Sequence, residues 1–208
     1  MVTYYAAMGR YRLERLEGDV RHPVLMLGGQ EYHVSVAEFM VWSSLLWNIL
    51  NRDALQAESA RAAAVFDCSM DEELFERTLS RLLFRGLVVS GEGETGAEAL
   101  QDLIMKTRLV PIRMRFFRKL QVFLAMLRNG HPFFSAMLVF DRDRLSADEA
   151  SVWALLDGDA MTAAEVVFCA GQTPESNNAA PTDAQHVMAV LANLYLKRMV
   201  VLEKIRIV

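Results

Sequence analysis

The stretch GLVVSGEGETGAEALQDLI, residues 86–104, places Gly91, Gly93 and Gly96 in the G-x-G-x-x-G spacing that lets a backbone cradle a pyrophosphate at a helix N-terminus. Such a site also wants a strand-first context, little competing negative charge, and an acidic ribose ligand about 20 residues downstream. Here Glu92 and Glu94 lie among the glycines, and Pro111, Ile112 and Arg113 stand where the acid belongs. The glycines therefore read as a loop or wing, and no cofactor is expected. Cys68 and Cys169 have no cysteine or histidine at metal-ligand spacing and read as buried small hydrophobes. The four histidines stand beside neither paired carboxylates nor a nucleophile motif, so no catalytic residue, no metal site and no enzyme activity are expected.

Charge offers a second chemistry. Between Leu103 and His131 there are seven basic residues and no acidic one, although the whole chain carries a net charge of −4. Clustered Lys and Arg neutralise phosphates without regard to base sequence. Lys106, Arg108, Arg113, Arg115, Arg118 and Lys119 are the candidates here, with Phe116 and Phe117 among them. Arg77 and Arg81 lie one helical turn apart, followed by Arg85, and could reach phosphates or base edges. The competing reading of Arg77 and Arg81 pairs them with Glu73 and Glu76 on a solvated face.

The elements that would position these groups come in two copies. HVSVAEFMVWSSLL (residues 33–46) matches RLSADEASVWALLD (144–157) at a spacing of 111, aligning Ser35 with Ser146, Glu38 with Glu149 and Trp42 with Trp153. LSRLLFRGLVV (79–89) matches LANLYLKRMVV (191–201) at 112, and His22-Pro23 recurs as His131-Pro132. Each copy then reads as a hairpin, three helices and a returning strand. Gly28-Gly29 makes the hairpin turn, and His22-Pro23 reads as turn geometry. Ser35-x-x-Glu38 and Ser146-x-x-Glu149 are capping boxes opening the first helices. Asp53 and Thr162 are placed to open the second helices, and Ser69 and Thr182 the third. Phe75, Leu79, Leu82 and Leu83 in one third helix, and Val187, Leu191, Leu194 and Tyr195 in the other, form buried stripes. The outward residues are then Glu73, Arg77, Ser80, Arg81 and Phe84 in copy one. Copy two has Ala189, Ala192, Asn193 and Leu196 at the matching places, a small, neutral face suited to packing on protein.

This order of elements resembles the tandem winged-helix domains of bacterial regulators, which implies DNA binding through a third helix. Residues 144–167 with VMAVLANLYLKRMVV also resemble the PqqD-like family, whose members bind leader peptides by strand addition. That resemblance implies a partner site at Ala189, Asn193 and Leu196. The fold expected is α+β, mainly helical: a first winged-helix-like repeat over residues 1–105, a basic helical segment over 106–130 bridging the copies, and a second repeat over 131–208. The leading expectation is a DNA-binding transcriptional regulator. The alternative is a peptide- or protein-binding module, and a homodimer is compatible with either.

With 53% hydrophobic residues the chain can bury a sizeable core. Two cysteines give no disulfide framework and no leader pattern opens the sequence, so a cytoplasmic location is expected. The longest apolar stretch, about Val34 to Leu50, includes Glu38 and is too interrupted for a membrane span.

Overall fold

The computed structural model describes residues 1–15, 21–65, 68–112, 124, 128, 145–156, 160–172 and 184–205. The chain opens with strands β1 (Val2–Ala7), β2 (Arg10–Arg15), β3 (Arg21–Leu27) and β4 (Gln30–His33). Helix α1 (Val36–Leu45), strand β5 (Leu50–Asn51), helices α2 (Arg52–Val65) and α3 (Glu72–Phe84), and strand β6 (Val88–Gly93) follow. Then come α4 (Gly96–Met105) and β7 (Thr107–Pro111). Further on are α5 (Ala147–Leu155), β8 (Met161–Thr162), α6 (Ala163–Gln172), α7 (Ala184–Leu196) and β9 (Val200–Lys204). The architecture is mixed α+β, with three antiparallel sheets among the described residues, ordered β5-β1-β6, β2-β3-β4 and β8-β7-β9.

The first and third sheets repeat one another residue by residue. Tyr4 lies opposite Asn51 and Gly91, and Arg108 opposite Thr162 and Glu203. Asn51 and Thr162 are 111 positions apart, and Gly91 and Glu203 are 112 apart, the spacings of the sequence repeat. Helix ends repeat as well. The Ser35 and Ser146 hydroxyls accept from the Glu38 and Glu149 N–H groups, and each carboxylate accepts from its serine's N–H at 2.8 Å. At the end of α3, Gly86 N–H donates to Leu83 C=O and Leu87 N–H to Leu82 C=O. At the end of α7, Arg198 donates to Tyr195 and Met199 to Leu194 in the same pattern. This cap needs a left-handed residue, and Gly86 (φ 68°) and Arg198 (φ 60°) supply it.

Several expectations are corrected. The returning strands β6 and β9 close on β1 and β7, each placed before its unit's first helix, and not on the hairpin. The hairpin exists, with Gly28 and Gly29 both at positive φ, but it belongs to the separate sheet β2-β3-β4. His22-Pro23 is strand, not turn. Pro23 pairs with Leu13 across β2, and β4 ends one residue short of it, so its missing N–H costs no ladder bond. Residues 107–111, expected in a helical basic segment, are the central strand of the third sheet. The third helix α3 is capped by Asp71, whose side chain accepts from Leu74 N–H at 2.7 Å, two residues later than expected. Likewise Asn51, not Asp53, bonds the Ala54 N–H that opens α2. Cys68 is exposed and Cys169 half-buried, so neither is the core residue anticipated.

One apolar core runs through both units. It takes in Trp42, Phe75, Leu82 and Leu87 of the first and Leu156, Val187, Leu194, Tyr195 and Leu202 of the second, with Leu103 and Ile104 of α4. Trp42 is fully buried and donates from Nε1 to Met8 C=O at 3.1 Å, whereas its counterpart Trp153 is half-buried against the same core. No helix among the described residues is long and apolar enough to cross a membrane.

Candidate functional site

The glycine motif serves packing. Gly91 and Gly93 lie within β6, and a β-carbon on Gly91 would collide with the Ala99 carbonyl and the Leu103 N–H of α4. Helix α4 therefore rests directly on the strand, which only glycine permits at that approach. Its start is occupied by its own capping box: Glu98 N–H bonds the Thr95 hydroxyl, and the Glu98 carboxylate accepts from Glu94 N–H at 2.9 Å. A phosphate would meet that carboxylate first. Since β6 leads straight into α4, the loop or wing expected at residues 91–96 is instead a strand end and a helix start.

The outward face of α3 is as expected: Glu73, Arg77, Ser80, Arg81 and Phe84 are all exposed, and Phe84 is 94% so. Arg77 Nη2 bonds Glu73 at 3.3 Å, as the solvated-face reading holds. Glu76 instead takes Arg52, whose Nε donates to it at 2.7 Å. Arg81 Nε stands 3.6 Å from Glu38 Oε1. That carboxylate is already neutralised by Arg85, which donates from Nη1 at 3.0 Å and from Nη2 to His33 C=O at 2.8 Å. Burial raises the Glu38 pKa, but the Ser35 N–H and the two arginines outweigh it and hold the carboxyl below its ordinary value.

The second unit repeats this clasp. Lys197, 112 positions after Arg85, donates to Glu149 Oε2 at 2.7 Å. Lys197 and the Ser146 N–H lower the Glu149 pKa. Each first-helix capping glutamate is therefore tied to the base that ends its third helix. Arg85, a DNA candidate in the sequence, is a structural group, and the acid–base match at these positions in both copies was the signal that could have shown it.

Two further basic candidates are bonded to groups of their own chain, exposed Lys106 and half-buried Arg108. Lys106 Nζ donates to Asp102 at 2.6 Å and to Ser90 C=O at 3.2 Å. Arg108 donates from Nε and Nη2 to Ala160 C=O at 2.9 and 2.7 Å, joining β7 to the start of β8. Arg113, Arg115, Arg118 and Lys119 lie outside the described residues, as do His131-Pro132, Asp157-Gly158 and Thr182.

On α7, Ala189, Asn193 and Leu196 are exposed in one stripe, but Ala192, which matches exposed Ser80, is buried. On that side α7 also packs on α4, whereas among the described residues α3 packs only on α1, α2 and β6 to a comparable extent. Tyr195 ties α7 to a different element, the end of α1 and the turn after it. Its buried hydroxyl lies 2.9 Å from Leu45 C=O and accepts from Trp47 N–H at 3.3 Å, and the two rings pack at 5.7 Å. Trp47 is held at φ 64° there. Leucine occupies the matching position 83, so this polar contact has no mirror image. Among the described residues no three His, Cys, Asp or Glu side chains are grouped as a metal site. No family model, no curated protein and no solved structure matches the chain.

Proposed function

We propose that this chain is a non-enzymatic binding protein that recognises a peptide or protein partner through the outer face of α7. The observation that carries this reading is the stripe of Ala189, Asn193 and Leu196. It is neutral, exposed and mounted on a helix whose other faces are buried against α4, α5 and α6. A rigid helix presenting a small apolar patch suits docking of an apolar anchor, with little ordering cost on its own side.

Duplex DNA is the second reading. It is favoured by exposed Arg77 and Arg81 and by the uncompensated run at residues 113–119. Three considerations place it second. The cap and first turn of α3, the part of a recognition helix that reaches base edges, carry Asp71, Glu72 and Glu73. Arg85, Lys106 and Arg108 are already bonded to groups of their own chain, Lys106 on the surface. The strand after each third helix pairs with a strand from before the first helix, and β6 leads into α4 where a winged helix would continue into its wing hairpin.

Selection of displayed random peptides on the full chain tests the leading reading. Enriched peptides should bind wild type and lose at least about tenfold in affinity to Leu196→Asp, as expected when a charge replaces a central apolar contact, with the melting temperature unchanged. Equal binding to Leu196→Asp would refute the site. Binding to a labelled duplex that falls steeply between about 50 and 200 mM salt would restore the DNA reading.

A further inference from the structure

The sheet edges of this protein are treated unequally. On β6 the outward Glu92 N–H donates to Asp102 at 2.9 Å and the outward Ser90 C=O accepts from Lys106, so α4 side chains close that edge. On β9 the outward Leu202 C=O accepts from Gly9 N–H at 2.8 Å. On β4 the outward His33 C=O accepts from Arg85. Strands β5 and β8 are two residues each. Strand β2 is six residues long and forms the other edge of the β2-β3-β4 sheet.

The register fixes which β2 groups face outward. A two-residue turn at Gly28-Gly29 makes Leu27 and Gln30 a hydrogen-bonded pair, so Leu25 and Tyr32 are the next. Val24 and Met26 therefore bond on their other side, to Arg12 and Arg10. Tyr11 and Leu13 are left with their N–H and C=O directed away from the sheet. Among the described residues neither backbone makes a further bond. The two residues are 46% and 48% exposed, with Tyr11 packed edge-on against Phe39.

We propose that β2 is a dimerisation edge, and that its occupant is the β2 strand of a second copy, antiparallel and centred on Leu13. The sequence Arg12-Leu13-Glu14 is self-complementary under that twofold. Leu13 meets the second copy's Leu13 in a hydrogen-bonded pair, and Arg12 meets the second copy's Glu14 on both sides of it. Opposite charges at facing positions favour the pairing, and like charges oppose it. Moving the centre to Arg12, the neighbouring register with the same outward groups, sets Arg12 against Arg12. Only one register therefore satisfies both backbone and charge. Each Arg12 already bonds Glu14 and, at 2.9 Å, Glu31 of its own chain, so in the dimer it would lie among three carboxylates. The product is a continuous six-stranded sheet. This inference is independent of what α7 binds.

Sedimentation equilibrium between about 1 and 300 µM, the range in which so small an interface would associate, tests it. Wild type should dimerise, and Leu13→Lys should weaken association by about tenfold or more through lysine facing lysine. Arg12→Glu and Glu14→Arg should each be monomeric at concentrations where wild type is dimeric. Mixed one to one they should dimerise, because each restores the other's opposite charge. Melting curves of the separate variants establish that they are folded. A wild type that stays monomeric throughout overturns the proposal, as does a dimer whose strength ignores Leu13→Lys or a mixture that stays monomeric.

Discussion

Gly91 shows how a single hydrogen atom in place of a methyl group positions a helix. Gly91→Ala should destabilise by about 1–3 kcal/mol or more, because the clash is with backbone atoms that cannot rotate away. Thermal melting reads this directly, and an unchanged melting temperature would contradict the close packing of α4 on β6. Position 198 predicts the opposite sign. Arg198 occupies the left-handed cap that Gly86 fills in the first unit, so Arg198→Gly should stabilise by about 0.5–1 kcal/mol. Its mirror, Gly86→Ala, should destabilise by a similar amount although nothing crowds the site, since the cost there is conformational.

At the scale of elements, the clasp between a first-helix glutamate and the base ending the third helix ties together two helices in each unit. Glu38 and Glu149 have folded pKa values below their unfolded ones, so their stabilisation is complete above the unfolded value. It is lost as pH falls from about 4.3 through the depressed folded values. Asp102, lowered by Lys106 and the Glu92 N–H against the opposing effect of burial, acts in the same direction. The melting temperature should therefore drop on acidification below that point. The double variant Glu38→Gln, Glu149→Gln should melt lower at neutral pH and show a flatter acid limb. An unchanged acid limb would mean the clasps contribute nothing. Helix starts such as Ser35 and Ser146 were legible in the sequence because a capping box is a signal contained in four residues. Strands β1 and β7 were not, because their partners lie far along the chain and no local pattern names them. The charges of Lys106 and Arg108 looked uncompensated for a related reason: Lys106 reaches a carbonyl and an acid just before the counted run, and Arg108 a carbonyl that no tally of acids and bases sees.

For the molecule as a whole, the duplication was readable from two spacings, and the strand register reproduces both. What the spacings could not reveal is that the copies share one core and meet through a contact made by one side only. Tyr195→Phe removes the acceptor of Trp47 N–H and should cost about 1–3 kcal/mol, in a single melting transition for the entire chain. Two resolved transitions would show instead that the units unfold separately. The same hydroxyl lies 3.4 Å from Ala7 C=O, across 188 positions of sequence. A ribosome releases the first unit complete in its own strands and helices long before residue 195 leaves the tunnel. Until then the turn at Trp47 has no hydroxyl to hold it, and the face of α4 that will meet α7 stays wet. The older half of each newly made molecule must wait for the younger, so a stall or truncation before residue 195 would leave both halves unfinished.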